Sequence, residues 1–251
     1  MMKLWILFFV LNSLVFAEDC FTDYQVGNNY YNNDEFKKAI DSYKICLDQG
    51  VESSVLHFNI ANAYYRLGNV GRSILHYEIA ILLNPSDQDY RANLQFARLL
   101  QKDKQHSDEL EQNPIFSFIY KIHVFVPINE GLFLLLGLML ILALVFSVIY
   151  YTDWNIRFAL YPLALVLVVA IFGGFLSVGY RIWQLEHDIH GIVLEPSTDV
   201  MSGPGDKYQV LYTLNEGTRF SYDDEQDGWY AIRIGEDIAG YIKSSNAGLI
   251  Q

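Results

Sequence analysis

Two long stretches of this chain carry no charge. No Asp, Glu, Lys, Arg or His occurs between Glu130 and Asp153, or between Arg157 and Arg181. A helix needs roughly 20 apolar residues to cross a bilayer, and each stretch meets that length. Lipid offers no partner to backbone N–H and C=O groups, so such a run spans as a helix that satisfies its own backbone. Tyr150, Tyr151, Trp154, Tyr161, Tyr180 and Trp183 stand at the ends of the runs. Aromatic residues gather at the two membrane interfaces in this way. The expectation is a transmembrane hairpin, with helices over 131–151 and 158–180 and a short loop over 152–157. With no ionisable group at depth, the hairpin reads as an anchor and not as a transport path. Ala170 and Gly174 form a small-xxx-small step, which suits packing within the hairpin or against another helix.

The spans divide the remaining chain into two charged segments. The net charge is -12, and no stripe of Lys and Arg is present. Binding to a nucleic-acid backbone requires such a stripe, so a nucleic-acid partner is not expected. Residues 105–130 read as a polar linker followed by an interfacial segment. In that segment Phe116, Phe118, Tyr120 and Phe125 are interrupted by Lys121, His123 and Pro127.

The first 17 residues have the make-up of a secretory signal. Lys3 is followed by an apolar core over 4–15, and Val15-Phe16-Ala17 places small residues where signal peptidase needs them. Lipid attachment at Cys20 is disfavoured, because Glu18 and Asp19 precede it. Export followed by two crossings would leave both soluble segments outside the cytoplasm. Export also permits a disulfide between Cys20 and Cys46. There is no CxxC, which argues against thioredoxin-like redox chemistry.

Residues 18–104 repeat themselves at an interval of 34 positions. Asn28 falls on Asn62, Tyr30 on Tyr64, Tyr31 on Tyr65, Ile40 on Ile74 and Tyr43 on Tyr77. Gly27 aligns with Ala61, Ala39 with Ser73 and Cys46 with Ala80. Small residues let antiparallel helices approach, and the aromatic residues fill the space between them. Repeats of this length cannot bury their apolar faces alone and stack into an array. The pattern resembles the tetratricopeptide (TPR) repeat, although Asp23 and His57 stand where that motif has tryptophan. Two repeats, about 20–53 and 54–87, would be capped by a helix near 88–104 that buries Tyr90, Leu94, Ala97 and Leu100. The resemblance implies a concave groove lined by the first helix of each repeat. It places Asn28, Tyr31, Asn32, Asn62, Tyr65 and Arg66 there. The asparagines would bond a partner's extended backbone and Arg66 would meet a carboxylate. Tyr30, Tyr43, Tyr64 and Tyr77 read as core. Cys20 and Cys46 fall at neighbouring ends of the first helix pair. That position suits a disulfide, or a buried Cys46 standing in for alanine.

From His190 the pattern changes to short strands and turns. Strands are expected near Ile192, over 208–214, 218–222 and 229–234, and at Gly240-Tyr241-Ile242. Val200 with Ser202-Gly203-Pro204-Gly205, then Gly217-Thr218, Gly228-Trp229 and Gly240-Tyr241, resemble the bacterial SH3 (SH3b) domain. That resemblance implies a small all-β SH3-like barrel over 190–251, with Trp229 and Tyr241 lining a ligand groove.

No nucleophile elbow, P-loop or HExxH is present. Glu186, His187, Asp188 and His190 match no metal spacing with a defensible mechanism. Neither a catalytic residue, a metal nor a cofactor is expected. The fold class is therefore multidomain: an all-α TPR solenoid, a two-helix transmembrane hairpin and a small all-β SH3-like barrel.

The order of signal, repeats, spans and β module resembles the BatE-type proteins of Bat (Bacteroides aerotolerance) operons. The resemblance implies a bacterial inner-membrane protein with both soluble domains in the periplasm. It implies as partners von Willebrand A-type Bat proteins and a MoxR-type ATPase system. The function so implied is a non-catalytic scaffold in an envelope or oxidative-stress complex. The alternative is a cell-wall sensor that binds peptidoglycan peptides through the SH3b domain.

Overall fold

A computed structural model describes residues 20–101, 128–187, 189–235 and 238–250. The signal segment over 1–17, most of the linker and interfacial segment over 105–130, and Asp188 lie outside the described residues. The chain forms two compact units. One joins the segments before and after the apolar hairpin, and the other is the hairpin itself.

The first unit begins with five helices. They are α1 over 20–32, α2 (Phe36–Asp48), α3 (Ser54–Arg66), α4 (Val70–Leu83) and α5 (Gln88–Leu99). The 34-residue interval is visible in their packing. Ala39, Ala61, Ser73, Ala80 and Cys46 are all fully buried where helices meet. A side chain on Gly27 would run into the ring of Tyr43. Tyr43 and Tyr77 are buried, while Tyr30 and Tyr64 are half-buried against one cluster. Equivalent left-handed turns close both helix pairs, at Asp34 (φ 59°) and Gly68 (φ 74°). Glycine adopts this conformation freely, whereas Asp34 does so at some cost. Asn69 caps α4 by accepting from the Arg72 N–H, and Asp87 caps α5 by accepting from Asp89 and Tyr90. Cys20 and Cys46 form a disulfide, with Cα atoms 5.0 Å apart, so α1 is tied to the end of α2.

After the hairpin come seven strands: β1 (His190–Val193), β2 (Ser197–Met201), β3 (Val210–Asn215), β4 (Arg219–Gln226), β5 (Trp229–Ile234), β6 (Ile238–Lys243) and β7 (Ala247–Ile250). All pairings are antiparallel, in the order β3-β2-β6-β5-β4-β1-β7. The sheet is open, which corrects the expectation of a closed SH3-like barrel. Closure would require β3 to pair with β7, and no such ladder exists among the described residues. β7 instead lies beside a helix, with Gly248 against the side chain of Leu75.

That contact belongs to a junction between the helical array and the sheet. Ile192 of β1 shares one apolar cluster with Ile74, Leu75, Leu94 and Ala97. A Cβ on Gly71 would meet the Val193 carbonyl oxygen at 2.6 Å, so α4 lies directly on the sheet backbone. The Gly71 N–H donates to Glu216 (3.2 Å), Arg72 to Glu195 (3.3 Å), and the Gln101 amide to the Gly217 carbonyl. The helices and the sheet therefore form one packed body.

The second unit is a helix pair, α6 (Ile128–Tyr151) and α7 (Trp154–His187). Arg157 donates to the carbonyls of Tyr150 and Thr152 and so caps the end of α6. Leu135, Ile149, Ala164 and Ile171 form the buried seam. Gly174 faces the side chain of Leu135, so this small residue serves packing within the hairpin. Glu130–Tyr151 and Ile156–Tyr180 are long and apolar enough to cross a membrane. Only 11% and 6% of their most apolar windows is buried, unlike the core helix of a soluble protein.

Candidate interaction face of the helical array

α1, α3 and α5 lie side by side. Asn59 of α3 donates to Tyr24 (3.1 Å) and Asn28 (3.3 Å) of α1. Phe58 of α3 packs on Tyr90 of α5, with ring centroids 4.7 Å apart, and the Tyr90 hydroxyl reaches Ser54. The first helices thus share a continuous surface, while α4 lies on the sheet.

Each repeat holds one asparagine in a fixed orientation. The Tyr43 hydroxyl donates to the Asn28 side-chain oxygen at 2.8 Å, and Tyr77 does the same to Asn62 at 2.6 Å. Burial raises the pKa of both tyrosines above the phenol range, so each hydroxyl keeps its proton and remains a donor. With the oxygens held inward, the side-chain amide N–H donors of Asn28 and Asn62 point away from the tyrosines. They have no hydrogen-bond acceptor among the described residues. Both asparagines are half-buried.

The other groove residues from the sequence are placed as follows. Tyr31 is half-buried, with its ring edge-on to Phe36 at 5.3 Å. Tyr65 is half-buried against the cluster around Ile74, and Asn32 is exposed. Arg66 bonds Asp34 at 2.9 Å and lies over the Phe36 ring, so its charge already has an internal partner. On the sheet, Trp229 is buried with Lys243 over its ring, and Tyr241 is half-buried. Trp229 therefore presents no open aromatic face.

Extending the register finds three residues that the sequence reading passed over, Phe21, Val55 and Phe96, and gives Leu100 a different place. A helix turns about 100° per residue, so positions 21, 25, 28 and 32 of α1 form one stripe. The same register gives 55, 59, 62 and 66 on α3, and 89, 93, 96 and 100 on α5. Phe21, Val55, Phe96 and Leu100 fall on these stripes and are 63, 45, 59 and 53% exposed. Tyr90, Leu94 and Ala97 of α5 are buried, but Leu100 is not, contrary to the expected cap. A capping helix turns a polar face outward; α5 turns out Phe96, Leu99 and Leu100. A third period of the same interval was the signal that would have found them.

The fold brings together two histidines that stand 19 positions apart in the sequence. His57 Nδ1 lies 3.0 Å from His76 Nδ1, and His57 Nε2 lies 3.1 Å from Glu52. His76 stacks on Tyr64. Burial, then the neighbouring His57, pushes His76 down to about 3. Burial lowers His57 as well, against the pull of Glu52. Among the described residues no group of three or more His, Cys, Asp or Glu is arranged to hold a metal ion.

No family model and no curated protein matches this sequence. Among solved structures, the chain is similar to one described as the first TPR of Spaghetti (RPAP3) bound to the HSP90 peptide SRMEEVD. The identity is 29%, over 34% of this chain and 68% of that one, with a TM-score of 0.32. The likeness is weak and confined to part of the chain. The BatE-type assignment is therefore corrected: no family match carries it, and the open sheet removes the SH3b barrel on which it drew. The von Willebrand A-type, MoxR-type and peptidoglycan partners lose that support with it.

Proposed function

We propose that this chain is a non-catalytic, membrane-anchored interaction protein whose first-helix face holds a segment of a partner protein. The observation that carries this is the repeated Asn–Tyr pair. Twice, one interval apart, a buried tyrosine holds an asparagine by its oxygen and leaves its amide donors without an acceptor among the described residues. Extended backbone presents carbonyl acceptors at regular spacing, and two pre-oriented amides suit it. The exposed apolar residues on the same stripes would add contact area.

The anchor reading rests on the two apolar helices, and its side of the membrane on three further observations. Residues 1–17 have signal-like composition. The Cys20–Cys46 bridge suits an oxidising compartment. The segments before and after the hairpin pack into one body, which demands an even number of crossings. We place that body on the outer side of a bacterial inner membrane.

A photo-crosslinker at position 59 tests the face, with one at Leu83, exposed on α4, as control. Adducts to a polypeptide from position 59 alone are expected in native membranes. Equal adducts from both sites, or none, would remove the face. A reporter active only in the periplasm, fused after Gln251, is expected to work; an active cytoplasmic reporter there reverses the orientation.

A further inference from the structure

We infer that the occupant of this face is an extended segment with large apolar side chains and a basic residue, and not an acidic tail. This rests on the proposed role of the face. The argument is one of charge. α1 holds no Lys or Arg, and α3 holds only Arg66. Arg66 is already paired with Asp34, so a carboxylate arriving there would have to displace an existing ion pair. On α5, Arg91 and Arg98 lie about 180° from the stripe. Arg98 pairs with Glu78 on α4, and Arg91 donates to the Pro85 carbonyl. The Asp89 carboxylate lies on the stripe and has no partner among the described residues. Among the described residues the three stripes thus carry an unpaired carboxylate and no unpaired cation.

The apolar demand comes from register. Phe21 and Val55 occupy equivalent positions on α1 and α3. Phe96 and Leu100 occupy on α5 the positions that hold Asn62 and Arg66 on α3. The surface is therefore apolar at both ends with an amide centre. Asp89 holds on α5 the position of Phe21 and Val55, so a segment crossing the face meets an apolar patch beside Asp89, two amide donors for its backbone, and a second apolar patch at Phe96 and Leu100.

The test is selection of random dodecapeptides on the full chain in nanodiscs, with empty nanodiscs as background. Enriched peptides are expected to carry two large apolar residues and Lys or Arg, and few Asp or Glu. The change Phe96→Asp, at an exposed position, should weaken them by about tenfold or more. Asp89→Lys should weaken basic binders and admit acidic ones. Enrichment of acidic peptides that still depend on Asn62 overturns this chemistry and leaves the face standing. Binders indifferent to both Phe96→Asp and Asn62→Ala, or no enrichment above background, overturn the face itself.

Discussion

The two repeats are built from one pattern and held by different means. Both carry the Asn–Tyr pair and the left-handed turn. The first is closed covalently, by Cys20 and Cys46. The second has no cysteine. Its α4 is held instead by the sheet, through Gly71, Leu75 and Arg72, and by the contact of His57 with His76. The repeated pattern specifies a helix pair, but an array of two repeats has two ends to secure. Here one end is secured by chemistry and the other by a second domain.

The largest expected effect is on the covalent end. Cys46→Ser removes a link across 26 positions and should cost about 3 kcal/mol, by the loop-closure argument. Reductant on the unmodified chain should act alike. Hydrogen exchange of the full chain in nanodiscs should then quicken in α1 and α2 before α3 and α4. Equal loss across all four helices would break the distinction between the ends.

Next is the sheet-held end. Gly71→Ala places a methyl against the Val193 carbonyl and the Leu194 backbone, neither of which is the tip of a flexible side chain. A cost of about 2 kcal/mol is expected. Protection should fall in α4, β1 and β7 while α1 and α2 keep theirs. An unchanged β7 would mean that the sheet holds its place without α4.

This difference bears on what the sequence could reveal. The helical array is local: each contact joins residues within one or two intervals, so shifting the sequence by 34 shows Tyr43 over Tyr77 and Ala39 over Ser73. The apolar spans are more local still, since length and absence of charge suffice. The sheet is not. β2 holds only five residues and β7 only four, with Gly248 inside β7. Neither has enough alternation to stand out as a strand. The barrel expectation came from turn residues such as Gly217 and Gly228, which mark where the chain reverses but not which strands pair. The junction at Gly71 joins residues more than a hundred positions apart, and a glycine carries no sign of what approaches it. On the interaction face, Asn28 and Asn62 were legible because they repeat. Phe96 was missed, and Leu100 was read as buried, because the third interval was read as a cap.

Acidity separates the two ends in another way. An unfolded histidine titrates near 6.5, while folded His76 is pushed down to about 3. The unfolded chain therefore binds the proton more readily, and stability is whole above pH 6.5. It falls as the pH drops from there toward 3. Lys44 on α2, Arg72 on α4 and any charge on His57 oppose protonation of His76, while Glu52 favours it on His57. Melting followed at pH 7 and pH 5 should show earlier loss of α3 and α4, and His76→Phe should flatten that dependence. Acid loss confined to α1 and α2 would contradict it.

The Asn–Tyr pairs, which the two repeats share, should give equal and smaller effects. Tyr43→Phe and Tyr77→Phe each remove one hydroxyl from a half-buried asparagine oxygen, at about 1 kcal/mol. Stability alone does not report orientation: loss of the Tyr77 hydroxyl frees the Asn62 amide to rotate, while Asn28 keeps its bond from Asn59. Binding of a selected peptide does. If outward amides matter, each change should weaken binding beyond what the small loss of fold explains, and the double change should weaken it further. Equal stability loss with unaltered binding would leave the pairs as structural ties and shift the contact to Phe96 and Leu100.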